Sequence, residues 1–242
     1  MIDCGFGPRY VKESLTPLGL QFSSLSALLL THVHGDHVHE LTVRALTDAG
    51  VPIVCPSPIR RPLLHLYPSM RRAAERGLLR TFRTSEMSVG EFGLEAFEVP
   101  HDSPGGCFGY SVHAGEAKVT LATDLGFSHD RLVAHARDSG VVVIESNHDP
   151  DMLENSGRPE WLKRRIRERG HLSNQQCAEF VTEVVRRSRT LPRAIILAHI
   201  SQQCNTNPLA VATTSRALRQ LGAEVAVRES FMSGPSDTAE AE

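Results

Sequence analysis

Five short apolar runs, scattered along the chain, each lead into a side chain that can ligate a metal or carry a proton. LSALLLT runs into His32, LEAFEVP into His101, KVTLAT into Asp124, GVVVI into Glu145 and RAIILA into His199. LEAFEV alternates as a half-buried strand does, whereas LSALLL, GVVVI and RAIIL suit strands covered on both faces. Strands lying side by side would deliver the groups at their ends to one sheet edge, which is where α/β folds place their sites. A chain with this pattern is expected to be an α/β protein whose sheets gather those ends.

Further strand-like runs are Val51–Cys55 and Phe108–Val112, and FGYSVHAGEAKVTLAT reads as a hairpin turning near Ala114–Glu116. Helical spacing covers Leu41–Asp48 and Pro62–Leu79. Ser173 and Gln176 form a capping box for a helix reaching about Val185, and Pro208 opens another that runs to Leu221, with Gly222 as its stop. The length of 242 residues suits a single domain over 1–232, with the small, acidic segment 233–242 expected to be disordered.

No apolar run approaches the length of a membrane span, and no export leader is visible, so a cytoplasmic location without membrane association is expected. Cys4, Cys55, Cys107, Cys177 and Cys204 are scattered without a C-x-x-C pair, which argues against a disulfide framework and against a thiolate zinc knuckle. The net charge of −2 hides two basic clusters. Arg60, Arg61, Arg71, Arg72, Arg76, Arg80 and Arg83 are opposed only by Glu75, and Arg158, Lys163, Arg164, Arg165, Arg167 and Arg169 by Glu160 and Glu168. Both are candidates for phosphate contact, although charge runs are more often solvated helix faces.

The densest chemistry is in LLLTHVHGDHVHE, Leu28 to Glu40. His32 and His34 are two apart, so on an extended segment they point the same way and could hold one ion. Gly35 lets the chain turn and aim Asp36 and His37 at a second position. Imidazole with carboxylate suits zinc, manganese or iron. Adding His101, Asp124 and His199 gives seven ligands, more than one ion needs and enough for two bridged by a carboxylate. A lone structural zinc is the plainer alternative, but closed structural sites favour cysteine. Two divalent ions about 3.5–4 Å apart generate a hydroxide at neutral pH and brace an in-line displacement, as phosphodiester hydrolysis requires.

These residues resemble the metallo-β-lactamase superfamily. Its H-x-H-x-D-H signature matches His32, His34, Asp36 and His37, its later ligands match His101, Asp124 and His199, and its early acidic residue matches Asp3. The resemblance implies an αββα four-layer sandwich, two mixed β-sheets flanked by helices. It also implies two divalent metal ions (zinc or manganese). His32, His34 and His101 would hold one, Asp36, His37 and His199 the other, and Asp124 would bridge them. ESNHD at 145–149, GHLSN at 170–174 and HISQQCNT at 199–206 are similar to the YycJ/WalJ group of small bacterial nucleases of this fold, associated with double-stranded DNA, and to tRNase Z. That likeness implies that Glu145 orients His171 and that His171 is the general acid. Members of the group carry about one more hairpin before IDCG, so either the true start is expected upstream of Met1 or the protein is shortened at its N-terminus. Cys204 also stands where the group commonly has asparagine.

The residues themselves agree with the acid role, because His171 immediately precedes the capped helix at Ser173, whose amides and dipole favour a neighbouring anion. His148, Ser201 and Asn205 are candidates for substrate contact, with a loop hydrogen bond or a turn as the plainer reading of the first two. His39 reads as a support or surface residue, and Trp161 as core or interface packing rather than a base-stacking platform. The expected activity is a metal-dependent phosphodiesterase acting on nucleic acid, as a DNA exonuclease. The alternative within the fold is a small-molecule hydrolase on a cyclic phosphodiester. A thioester is disfavoured because a thiolate leaves without much help from an acid. A non-catalytic binding module would be expected to have lost ligands, and none is lost here.

Overall fold

The computed structural model describes residues 1–82, 86–231, 236 and 238–241. Its backbone contacts divide the chain into two compact units, one of Met1–Ala96 with Ser103–Phe108 and the other of Phe97–Asp102 with Gly109–Glu242.

The first unit contains α1 (Pro8–Leu15), β1 (Leu28–Leu29), α2 (Glu40–Asp48), β2 (Ile53–Pro56), α3 (Ser57–Leu66), α4 (Pro68–Glu75), β3 (Leu79–Phe82), β4 (Glu86–Val89) and the first half of β5 (Phe92–Val99). β1, β2 and β3 form a parallel sheet, with Leu28 opposite Ile53 and Ile53 opposite Leu79. Every residue of β2 is buried, as parallel strands covered on both faces are. Leu28, Leu30, Val43, Leu46, Ile53, Ile59, Leu63 and Met70 make the core, each contributing roughly 1.5–3 kcal/mol by leaving water. β4 pairs antiparallel with β5, Val89 lying opposite Phe92. The helix expected over Pro62–Leu79 is instead two helices followed by β3. Pro68 disfavours a helical conformation at the residue before it, and Tyr67 is accordingly extended at φ −121° and ψ 111°.

The second unit contains the remainder of β5, most of β6 (Cys107–Ala114), β7 (Ala117–Ala122), α5 (Asp130–Ala136), β8 (Val141–Glu145), α6 (Pro150–Glu154), α7 (Glu160–Arg165), α8 (Asn174–Arg187), β9 (Ala194–Ala198), α9 (Asn207–Gln220) and β10 (Ala226–Glu229). Its strand order is β10-β9-β8-β7-β6-β5. β7 to β10 run parallel, and β6 and β7 are the expected hairpin, closed where Gly115 takes a left-handed φ of 59°. Ser173 and Gln176 cap α8 reciprocally, an arrangement worth about 1 kcal/mol, and α8 buries Cys177, Phe180, Val181 and Val184. α9 stops before Gly222, at φ 75°, as expected.

Register places the chemistry. Ala122 lies opposite Ile144, and Glu145 opposite Ala198, so Asp124, Glu145 and His199 emerge at the carboxyl ends of three adjacent parallel strands. Of the expected tail, residues 233–235, 237 and 242 lie outside the described residues, as does Arg83. Ser236 and Thr238–Ala241 belong to no helix or strand, and the Arg228 guanidinium donates to the Thr238 carbonyl. No helix among the described residues is long and apolar enough to cross a membrane.

Candidate active site

In the first unit the site is built where the N-terminal segment pairs beside β1. Ile2 bridges Leu29 and Cys4 bridges Val38, so Asp3 is held between them. The Asp3 carboxylate accepts from the Thr31 amide at 2.9 Å and the Thr31 hydroxyl at 2.7 Å, and lies 2.8 Å from Nδ1 of His37. Asp3 adopts a left-handed φ of 55°, an uncommon conformation outside glycine that it keeps while making all three contacts. Anchoring Nδ1 fixes the His37 ring and leaves Nε2 as the nitrogen that could take a metal.

His32 is fully buried, with Nδ1 3.0 Å from the Thr31 hydroxyl and Nε2 3.0 Å from Nδ1 of His34. Two imidazole nitrogens this close meet well only when a proton or a cation is shared between them. The His32 and His37 rings stand 4.1 Å apart between centroids, and Asp36 Oδ2 is 3.7 Å from His37 Nε2. The turn closes by hydrogen bonds from the His37 and Val38 amides to the His34 carbonyl. Gly35 takes no left-handed conformation there, and a Cβ would meet nothing within 4 Å, so the loop does not depend on that glycine. The glycine it does require is Gly5, whose Cβ would fall 1.7 Å from the Asp36 carbonyl oxygen. His39 occupies the N-cap position of α2 without a side-chain capping bond, and its Nδ1 lies 3.5 Å from the Thr42 hydroxyl.

In the second unit Asp124, Glu145, His171 and His199 each offer a ligand atom within 4.8 Å of the others. Glu145 is completely buried and its carboxylate is the hub. Oε1 lies 2.8 Å from His171 Nδ1 and 2.6 Å from His199 Nδ1, while Oε2 accepts from the Leu125 and Leu172 amides at 3.0 and 3.2 Å. Burial by itself would raise the pKa of this carboxyl. The charges and hydrogen bonds of His171 and His199 outweigh burial and hold it below its usual range, which favours the ionised carboxylate. Asp124 and His199 are both left-handed, at φ 58° and 54°. Asp124 Oδ1 lies 3.4 Å from His199 Nδ1 and 3.9 Å from His171 Nδ1.

His171 is positioned by an unusual turn. After α7 the chain continues through one π-helical turn, Ile166–Gly170, closed by the His171 amide on the Ile166 carbonyl at 3.1 Å. Such turns concentrate at functional sites. His101 Nδ1 lies 3.1 Å from the Gly170 carbonyl, and its ring centroid is 5.5 Å from that of His171. The peptide unit that precedes His171 thus also orients His101. Gly126 touches the same turn, since a Cβ on it would fall 2.4 Å from the Arg169 carbonyl carbon.

The candidates for substrate contact lie deeper. The Asn205 side chain is buried and joins Asn174, the Ser146 and Asn147 carbonyls and the Thr206 amide. Ser201 Oγ accepts from the Cys204 amide at 3.2 Å, the turn-forming role. His148 is 2% exposed, and burial pushes its pKa down to about 4, leaving the ring neutral. Trp161, expected in a core or interface, is exposed on α7. Sequence reasoning missed the bond from Glu145 to His199 and the role of Gly126.

Imidazoles whose Nδ1 is occupied by a carboxylate, a hydroxyl or a carbonyl, together with buried carboxylates, fit a divalent cation. The cysteines are all buried and free, with Cys4, Cys55 and Cys177 pushed up to about 12 by burial. The pattern of the β-lactamase superfamily domain matches residues 1–200. The chain is 29% identical to the exodeoxyribonuclease YycJ of Bacillus anthracis, over 92% of this chain and 81% of that protein. It is 28% identical to the exodeoxyribonuclease WalJ of Streptococcus pneumoniae, over 99% and 87%. Among solved structures, the metallo-β-lactamase fold protein YhfI of Bacillus subtilis superposes with a TM-score of 0.68 at 15% identity, covering 98% of this chain and 85% of that one.

Proposed function

We propose, because the chain belongs to the β-lactamase superfamily and is a metal-dependent hydrolase of that fold, that it cleaves phosphodiester bonds in DNA as an exonuclease. From the ligand pattern we assign His32, His34 and His101 to one divalent ion, zinc or manganese, and Asp36, His37 and His199 to a second, with Asp124 shared. When bound, two such ions activate water at neutral pH and offset the charge that an in-line displacement develops. Asp3 and Thr31 hold His37 and His32 in fixed tautomers. Glu145 holds His171, and His171 donates a proton to the departing alkoxide oxygen.

The single observation that carries this reading is the buried, ionised Glu145 against Nδ1 of His171. Such a pair is a poised acid, and an alkoxide leaving group needs one where a thiolate does not. The exonuclease-named relatives YycJ and WalJ support nucleic acid as the substrate. The test compares kcat/KM on duplex DNA with kcat/KM on a cyclic dinucleotide across a salt series. Preference for DNA that falls steeply with salt supports the reading, because phosphate contacts release counterions. Preference for the cyclic substrate without salt dependence would replace it with the small-molecule hydrolase.

A further inference from the structure

We propose that the outer face of α7 is the surface that holds the single strand leading to the active site, with Trp161 as a base-stacking platform between arginines. The proposal rests on the nucleic-acid reading above and names where that substrate is gripped. Trp161 is the only tryptophan of the chain and, at 66% exposure, the most exposed of the large apolar side chains among the described residues. Helical spacing explains its direction. Leu162 and Ile166, four apart, turn inward and pack with Leu153 and Cys204. Trp161, Arg164, Arg165 and Glu168 then share the opposite face, and all four are exposed.

The guanidiniums on that face are available. Arg164 pairs with Glu168 and Arg165 with Asp102, and the side chains in both pairs are half exposed or more. Exposed ion pairs of this kind contribute little, so a phosphate displaces the carboxylate at small cost. Arg167, held by Glu154 and Glu160 together, is not part of the platform. A face with one aromatic ring and flanking arginines, and no other large apolar group, lacks the apolar centre of a protein interface. It matches instead the stacking and phosphate contacts by which single strands are held.

The placement relative to the chemistry is direct. α7 and the π turn form one continuous helical stretch from Glu160 to Gly170, and His171 follows. Ten residues separate Trp161 from His171, at most about 15 Å along that axis at the α-helical rise, or up to about four nucleotides at ~3.4 Å each. At the other end a second exposed aromatic, Phe127, follows the Gly126 that touches Arg169.

A lone tryptophan makes the test selective. A thymidine 20-mer is titrated into the wild-type protein, with chelator present to prevent digestion, while tryptophan fluorescence is followed. Saturable quenching that weakens with salt is expected. In digestion assays Trp161→Ala should raise KM for DNA about tenfold, Trp161→Phe should restore most of it, and hydrolysis of bis-nitrophenyl phosphate should be unchanged. DNA digestion without quenching, or with KM unchanged in Trp161→Ala, overturns the platform and leaves the nuclease reading intact. Quenching without any digestion supports the platform and removes the nuclease, and the absence of both removes the two together.

Discussion

Oε1 of the fully buried Glu145 lies 2.8 Å from Nδ1 of His171, and the same oxygen is 2.6 Å from Nδ1 of His199. One carboxylate therefore fixes both the proposed acid, His171, and His199, a proposed metal ligand. Glu145→Gln keeps the shape but removes the charge, so kcat on DNA should fall about 10²–10³-fold, the range general acid catalysis supplies. The loss should be much smaller on bis-nitrophenyl phosphate, whose phenolate leaves without protonation. Equal losses on both substrates, with metal content reduced, would assign Glu145 to His199 alone.

Asp3 plays the matching part in the first unit, with three contacts to Thr31 and His37. Asp3→Ala removes the partner of the His37 ring and should weaken metal affinity about 10–100-fold. Competition against a chromogenic chelator measures this directly. Asp3→Asn, which tolerates a left-handed backbone and keeps one acceptor, should recover part of the loss.

Gly126→Ala places a methyl group against the backbone of Arg169. Backbone cannot yield as a flexible side chain can, so the π turn must shift, at a cost of about 1–3 kcal/mol. Urea denaturation should show that loss, and kcat should fall more than KM rises because His171 follows the turn.

His148 makes stability depend on pH. Burial lowers its pKa from 6.5 to about 4 in the folded chain. Between those values the unfolded chain binds a proton that the folded chain does not, so stability is complete above pH 6.5 and declines as pH falls toward 4. At pH 5 the loss from this group is about 2 kcal/mol. Comparing urea midpoints at pH 7 and pH 5 for wild type and His148→Asn should show a smaller drop in the variant.

Much of the site could be read in advance because strand ends and chemistry coincide in the sequence. GVVVI and RAIILA read as strands covered on both faces and KVTLAT as the second strand of a hairpin, each leads into a candidate group, and the register of β7, β8 and β9 aligns those ends. The contact between Glu145 and His199 could not be read, because it arises only when Glu145 falls opposite Ala198, one residue before His199. The exposure of Trp161 was not read in advance for another reason: α7 has only six residues, too few to show an apolar face by periodicity. β3, β4 and β10 are short and carry charged residues, so their periodicity is weak. The break at Tyr67 was signalled by Pro68, and helical spacing on both sides masked it.

The central claim is tested most directly by digestion of end-labelled duplex DNA with added manganese, using wild type and Asp36→Ala purified identically. Stepwise shortening from one end by the wild type, lost in Asp36→Ala, is the predicted result. Intact DNA with both proteins, while the wild type binds two metal ions per chain, would contradict it.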